Sequence, residues 1–110
     1  MKLPNREDAY IPPQKLEGYL LSETHPIGQS KARFLHAFGF DQTTVSELAQ
    51  ALMAIAHTEE VSEIVPSPYG IKYVIDGMLQ TPSGIPVAVR TIWIIDINQG
   101  RPRFVTAYPV

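Results

Sequence analysis

The chain has 110 residues, 45% of them hydrophobic and 18% charged, no cysteine, and a formal net charge of −2. That length fits one domain and that composition a folded globular protein, while the missing cysteines exclude disulfides, a thiolate nucleophile and cysteine-ligated zinc. The net charge argues against nonspecific DNA binding, and no apolar run approaches the roughly 18 residues of a spanning helix, which excludes a helical membrane protein.

The opening Met1–Asp8 is charged and has no apolar segment behind it, so a secretory signal is not expected and a cytoplasmic location is. Ile11-Pro12-Pro13 fixes an extended lead-in. Gln14 to Ser22 then reads as a short amphipathic helix with Leu16, Tyr19 and Leu20 on one face. A second helix is expected over Ser30 to Phe38, with Ser30 as N-cap and Gly39 as its stop. The third, Thr43 to His57, has the clearest periodicity (Leu48, Ala51, Leu52, Ile55), with Thr43 or Thr44 as cap and Glu47 three residues after Thr44.

Pro66-Ser67-Pro68-Tyr69-Gly70 punctuates the change to strands, dividing one domain (1–110) into a mainly helical half, 1–58, and a β-meander half, 59–110. Val61 to Val65 suits a short edge strand. Ile71 to Gln80 alternates, and Thr81-Pro82-Ser83-Gly84 turns the chain. Pro86 to Ile97 is nearly continuously apolar, as a central strand covered on both faces would be. Asn98-Gln99-Gly100 leads into a last strand, Arg103 to Tyr108. The fold class is therefore α+β, with about three N-terminal helices packed on one face of a three- to four-stranded antiparallel sheet. Gly77 inside a strand signals a bulge or close approach by a helix.

Charge is unevenly placed: five basic and nine acidic residues lie up to Val65, four basic and two acidic beyond it. A local positive site can therefore sit on an acidic protein, although Glu7, Asp8, Glu47, Glu59 and Glu60 also serve simply to solvate helices. His25, in the turn before Pro26 and Gly28, is placed for acid–base work or for capping that turn. Lys31 and Arg33 follow at the start of a helix, where an anion is favoured, or else lie over the core as surface cations. Arg90 sits in the apolar strand and needs either a carboxylate, with Asp76 the obvious one, or an anion in a cleft. Alternation puts Phe104, Thr106 and Tyr108 on one face of the last strand, so Thr106 and Tyr108 could hold a phosphate oxygen. Arg103 is a candidate for substrate binding or a solvated edge charge. Trp93 reads as core. His36 and His57 have no carboxylate at metal-ligand spacing, so no metal and no cofactor are expected.

The stretches K-L-P-N, K-L-E-G-Y-L-L-S, H-P-I-G-Q-S-K-A-R-F-L, Y-G-x-K-Y-V-I-D-G and P-R-F-V-T-A-Y-P resemble those of a group of small, uncharacterised bacterial proteins, often cyanobacterial, classed as a domain of unknown function. More distantly, a histidine and lysine in the helical part followed by a sheet ending in T-x-Y-P is similar to the barnase–EndoU–colicin–RelE-like fold of metal-independent ribonuclease toxins. That resemblance implies His25 as acid–base group, Lys31 as phosphate binder, Arg90 as transition-state stabiliser, and Thr106 and Tyr108 as terminal-strand site residues. It implies RNA as partner; Arg33 and Arg103 are the candidate substrate-binding residues. The competing reading is a noncatalytic interaction module, antitoxin-like or an adaptor, bound to a small cognate protein or to a second copy through a sheet edge. An unrelated small-molecule enzyme has no motif to support it.

Overall fold

In the computed structural model, which describes residues 1–110, α1 (Pro13–Lys15) starts on the second of the two prolines and runs directly into one π-helical turn, Leu16–Leu20. Two longer helices follow, α2 (Gln29–Ala37) and α3 (Val45–Thr58). The strands β1 (Glu63–Ser67), β2 (Gly70–Leu79), β3 (Val87–Asp96) and β4 (Pro102–Pro109) form one antiparallel meander in the order β1-β2-β3-β4. This is the expected α+β architecture. No helix is long and apolar enough to cross a membrane.

Strand periodicity places Tyr73, Ile75, Leu79, Val89, Thr91 and Trp93 on the face toward the helices, where they meet Leu16, Leu20, Leu35, Leu48, Leu52 and Ile55 in one core. Trp93 and Phe104 pack edge to face at 5.3 Å. The buried polar groups close on each other: the Trp93 indole N–H donates to Thr91 Oγ1 (2.9 Å), and that hydroxyl donates to the Ile75 carbonyl (2.8 Å). Gly77 marks a close approach by α3 and no bulge, since a Cβ there would lie 3.1 Å from two side-chain carbons of Ile55.

The helix ends partly correct the sequence reading. Gly39 does stop α2, with φ of 97°; its N–H bonds to His36 O and the Phe40 N–H to Leu35 O, which satisfies two terminal carbonyls and tucks Phe40 into the core. Ser30, however, lies inside α2 and does not cap it, because the helix already begins at Gln29 behind Gly28. The lead-in to α3 is capped by Asp41 and not by Thr44 with Glu47: the Asp41 carboxylate accepts from the Thr43 N–H (2.7 Å), and Thr44 Oγ1 accepts from the Asp41 N–H (2.8 Å).

Three strand expectations also change. The edge strand expected over Val61 to Val65 is Glu63–Ser67, so Pro66 lies within β1 and not in the punctuation after it, as an edge strand allows. β3 has helices on one face only. On the other face Ile94 is buried between its cross-strand neighbours Lys72 and Arg103, so long charged side chains supply the cover. Finally, the register shifts between Ile92 and Trp93: Ile92 faces Thr106 while Trp93 faces Phe104. Val105 is the extra residue, so Phe104 and Thr106 point to opposite faces, and only Thr106 and Tyr108 share one.

Candidate functional site

Two backbone devices bring the polar groups of the helical half to the β4 edge. In the π turn the Leu21 N–H reaches back five residues to Leu16 O (2.7 Å), and the wider turn lets Leu20 and Leu21 join Leu16 in the core. Tyr19 is left at the rim. Gly28 is the second device. A Cβ at this position would lie 2.1 Å from the Tyr19 carbonyl oxygen, so α2 can start against the Tyr19 backbone only because residue 28 has no side chain. The Val105 bulge then turns Thr106 off the core-facing side of β4, and at this open edge of the sheet its hydroxyl lies 3.0 Å from the Tyr19 hydroxyl.

Four side chains gather around Tyr19. His25 meets its ring edge-on at 5.1 Å. The ammonium of Lys15 lies 5.3 Å and that of Lys31 5.6 Å from the ring centroid, at cation–π distance. Thr106 is the fourth. His25 is locked by its own loop: Ser22 Oγ accepts from the His25 N–H (3.1 Å), and the ring Nδ1 accepts from the Ile27 and Gly28 N–H groups (both 3.0 Å). With Nδ1 accepting, the neutral ring carries its proton on Nε2 and offers a donor.

Lys15, Tyr19, His25 and Thr106 line an open cleft of about 510 Å³, together with Gln14, Gly18, Ile27 and Val105. Lys31 reaches the same tyrosine but lines a narrower, mainly apolar crevice beside Tyr108 and Leu35. No carboxylate lies within ion-pair distance of either lysine. Two ammonium groups, an imidazole N–H and a hydroxyl pair suit an oxyanion with several acceptor oxygens, such as a phosphodiester.

The other candidate residues are placed elsewhere. Arg90 lies on the sheet face away from the helices and holds Asp76 bidentately at 2.8 and 2.9 Å. Those hydrogen bonds pull the Asp76 carboxyl below its ordinary range and push the Arg90 guanidinium up. Tyr108 stands opposite Arg90 in the register. Arg103 pairs with Asp96 in the same way, at 3.1 and 3.0 Å, with the same two shifts. Arg33 is exposed on α2 with no side-chain partner. His36 lies 3.5 Å from Glu23, and no group of three or more His, Cys, Asp or Glu side chains could hold a metal ion.

Of the residues singled out in the sequence, His25, Lys31 and Thr106 meet at one tyrosine; Tyr19, read there as a helix-face residue, and Lys15 were not among the candidates. Their signal was the four-residue spacing of Lys15 and Tyr19 on one helical face, followed nine residues later by Gly28.

No curated protein matches the chain. Among solved structures, one chain of a contact-dependent growth inhibition toxin–immunity protein complex from Klebsiella pneumoniae 342 has the same fold. The TM-score is 0.72 at 17% sequence identity, over 91% of this chain and 98% of that one. A family model matches residues 2–110, and the chain accordingly belongs to the family described as Domain of unknown function (DUF6883).

Proposed function

We propose that the chain is a toxin-like RNA-binding domain whose cleft beside Tyr19 takes a backbone phosphate. The observation that carries this reading is the approach of Lys15, Lys31, His25 and Thr106 to one tyrosine with no carboxylate beside either lysine. The lysines offset the phosphate charge, while the His25 Nε2–H and the one hydroxyl of the Tyr19–Thr106 pair whose proton is not spent on the other donate to its oxygens. The likeness to a chain of a toxin–immunity complex supports the same reading at the level of fold.

Cleavage by attack of a ribose 2′-hydroxyl asks more of His25. The 2′-oxygen must lose a proton and the 5′-oxygen must gain one. With Nδ1 taken by two backbone N–H groups and the proton on Nε2, the ring has no free lone pair. It becomes a base only when the Pro26–Gly28 loop releases Nδ1 and the proton changes nitrogen. Arg90 would reach a phosphate only by leaving Asp76.

The test is fluorescence anisotropy of a mixed-sequence RNA at low salt, followed by a cleavage assay in EDTA. Replacing both Lys15 and Lys31 with Ala should weaken binding by about a hundredfold or more, at about 1.5–3 kcal/mol for each charged hydrogen bond lost. His25→Ala should abolish any 2′,3′-cyclic phosphate product. Folded wild-type protein that neither binds nor cleaves RNA overturns the proposal. The second reading, a noncatalytic interaction module, is favoured by the internal pairing of Arg90 and Arg103 and by the exposed Ile64 and Val65 on edge strand β1. A stable complex with a cognate protein or a second copy in sedimentation, without RNA binding, would establish it.

A further inference from the structure

The cleft holds more than a phosphate needs. Besides Lys15 and His25 the cleft extends over two apolar residues, Ile27 on the His25 loop and Val105 on the bulge, and over Gly18, which presents no side chain. Ile27 is 65% exposed, an unusual position for a large aliphatic residue beside a polar cluster. Gln14 lines the cleft beside Gly18, and its amide makes no hydrogen bond within the chain and offers a donor and an acceptor side by side. The opening of about 510 Å³ falls in the range of small-molecule sites, ~300–1,000 Å³.

Resting on the phosphate reading, we propose that this extension is a nucleobase subsite: one unstacked base lies against Ile27 and Val105, with the Gln14 amide on its polar edge. The chemistry is specific to a flat heterocycle. Apolar walls cover its faces, one neutral amide meets its edge, and the nearest ammonium, Lys15, is left for the adjoining phosphate. A sugar or a carboxylate ligand would leave Ile27 facing hydroxyls or charge. The amide pairs with any base edge that sets a donor beside an acceptor, so Gln14 fixes orientation and Ile27 supplies contact area.

The experiment compares two probes, an RNA trinucleotide and the same ribose-phosphate backbone without its central base, titrated by calorimetry into wild type and into Ile27→Ser, Gln14→Ala and Lys15→Ala. All three side chains are at least partly solvent-exposed, and circular dichroism checks each fold. Wild type should prefer the base-containing probe by about tenfold, in line with one base contact. Ile27→Ser should erase that preference and Gln14→Ala reduce it, with the abasic probe unaffected in both. Lys15→Ala should weaken both probes alike. Equal affinity of wild type for the two probes, or equal loss of both in Ile27→Ser, overturns the subsite and leaves the phosphate site standing. Failure of both probes to bind folded wild type overturns the phosphate reading, and the subsite with it.

Discussion

The chain has two sets of cations that look alike in sequence and are opposite in structure. Arg90 and Arg103 each face an aspartate across the sheet and close on it bidentately. Lys15 and Lys31 face the ring of Tyr19, with no carboxylate in reach. An aromatic face attracts a cation without neutralising it, whereas a carboxylate removes its net charge. What separates a structural cation from one available to a ligand is therefore the group across from it, and that is set by register and helix docking.

The most damaging way to break the lysine set is through Gly28. A methyl group there runs into the Tyr19 carbonyl at 2.1 Å, so Gly28→Ala must push α2, and Lys31 with it, away from Tyr19. Overpacking of this kind costs about 1–3 kcal/mol, and more where backbone must move. The melting temperature should fall by about 4–8 °C for each kcal/mol, with RNA affinity lost alongside. Gly18→Ala is the control, because its nearest neighbour is Gln14 Cβ at 3.8 Å, and it should leave the melting temperature close to that of wild type. Equal melting temperatures for the two variants would remove Gly28 from its positioning role.

Next in size is the direct exchange of cations. Lys15→Ala and Lys31→Ala should each reduce the slope of log affinity against log salt by about 0.7, the value for one phosphate contact on a single strand. Arg90→Ala and Arg103→Ala should leave that slope unchanged, since Asp76 and Asp96 already hold those charges. Asp76→Asn sharpens the comparison by freeing Arg90 on the far face: RNA affinity should stay level or rise, never fall. If the arginine variants shift the slope and the lysine variants do not, the two sets have been assigned the wrong way round.

These contrasts show what could be read from the residues alone. Helices, strands and the α+β class were legible because their signals are periodic and local, as in Leu48, Leu52 and Ile55 of α3. The Asp76–Arg90 alternative was legible too, as one of two options, because register follows from a short turn between long strands. The meeting of Tyr19 with Thr106 was not, since it depends on a π turn and a one-residue bulge that leave no periodic trace. Likewise nothing near His25 in sequence reveals that its Nδ1 is occupied by the backbone of its own turn. Ser30 failed as a cap for a related reason: the helix start is set by the tertiary fit of Gly28 under Tyr19 and only weakly by capping preference.

Acid gives the smallest effect and the sharpest separation. Hydrogen bonds from Arg90 and Arg103 lower the Asp76 and Asp96 carboxyls below the ordinary 3.8. A carboxyl whose native value is depressed contributes stability that is complete above its unfolded value and is lost as pH falls through the native one. Wild type should therefore lose melting temperature progressively below about pH 5, most steeply under pH 3.8, as both pairs open. Asp76→Asn and Asp96→Asn should start lower at neutral pH and lose less on acidification, so that the curves converge. The differences stay small because solvent screens these half-exposed pairs. The Tyr19 cleft has no carboxylate to protonate in that window, so Lys15→Ala and Lys31→Ala should run parallel to wild type throughout. A lysine variant whose acid limb converged with wild type would reveal a carboxylate partner for that cation in solution, and would move it into the same class as Arg90.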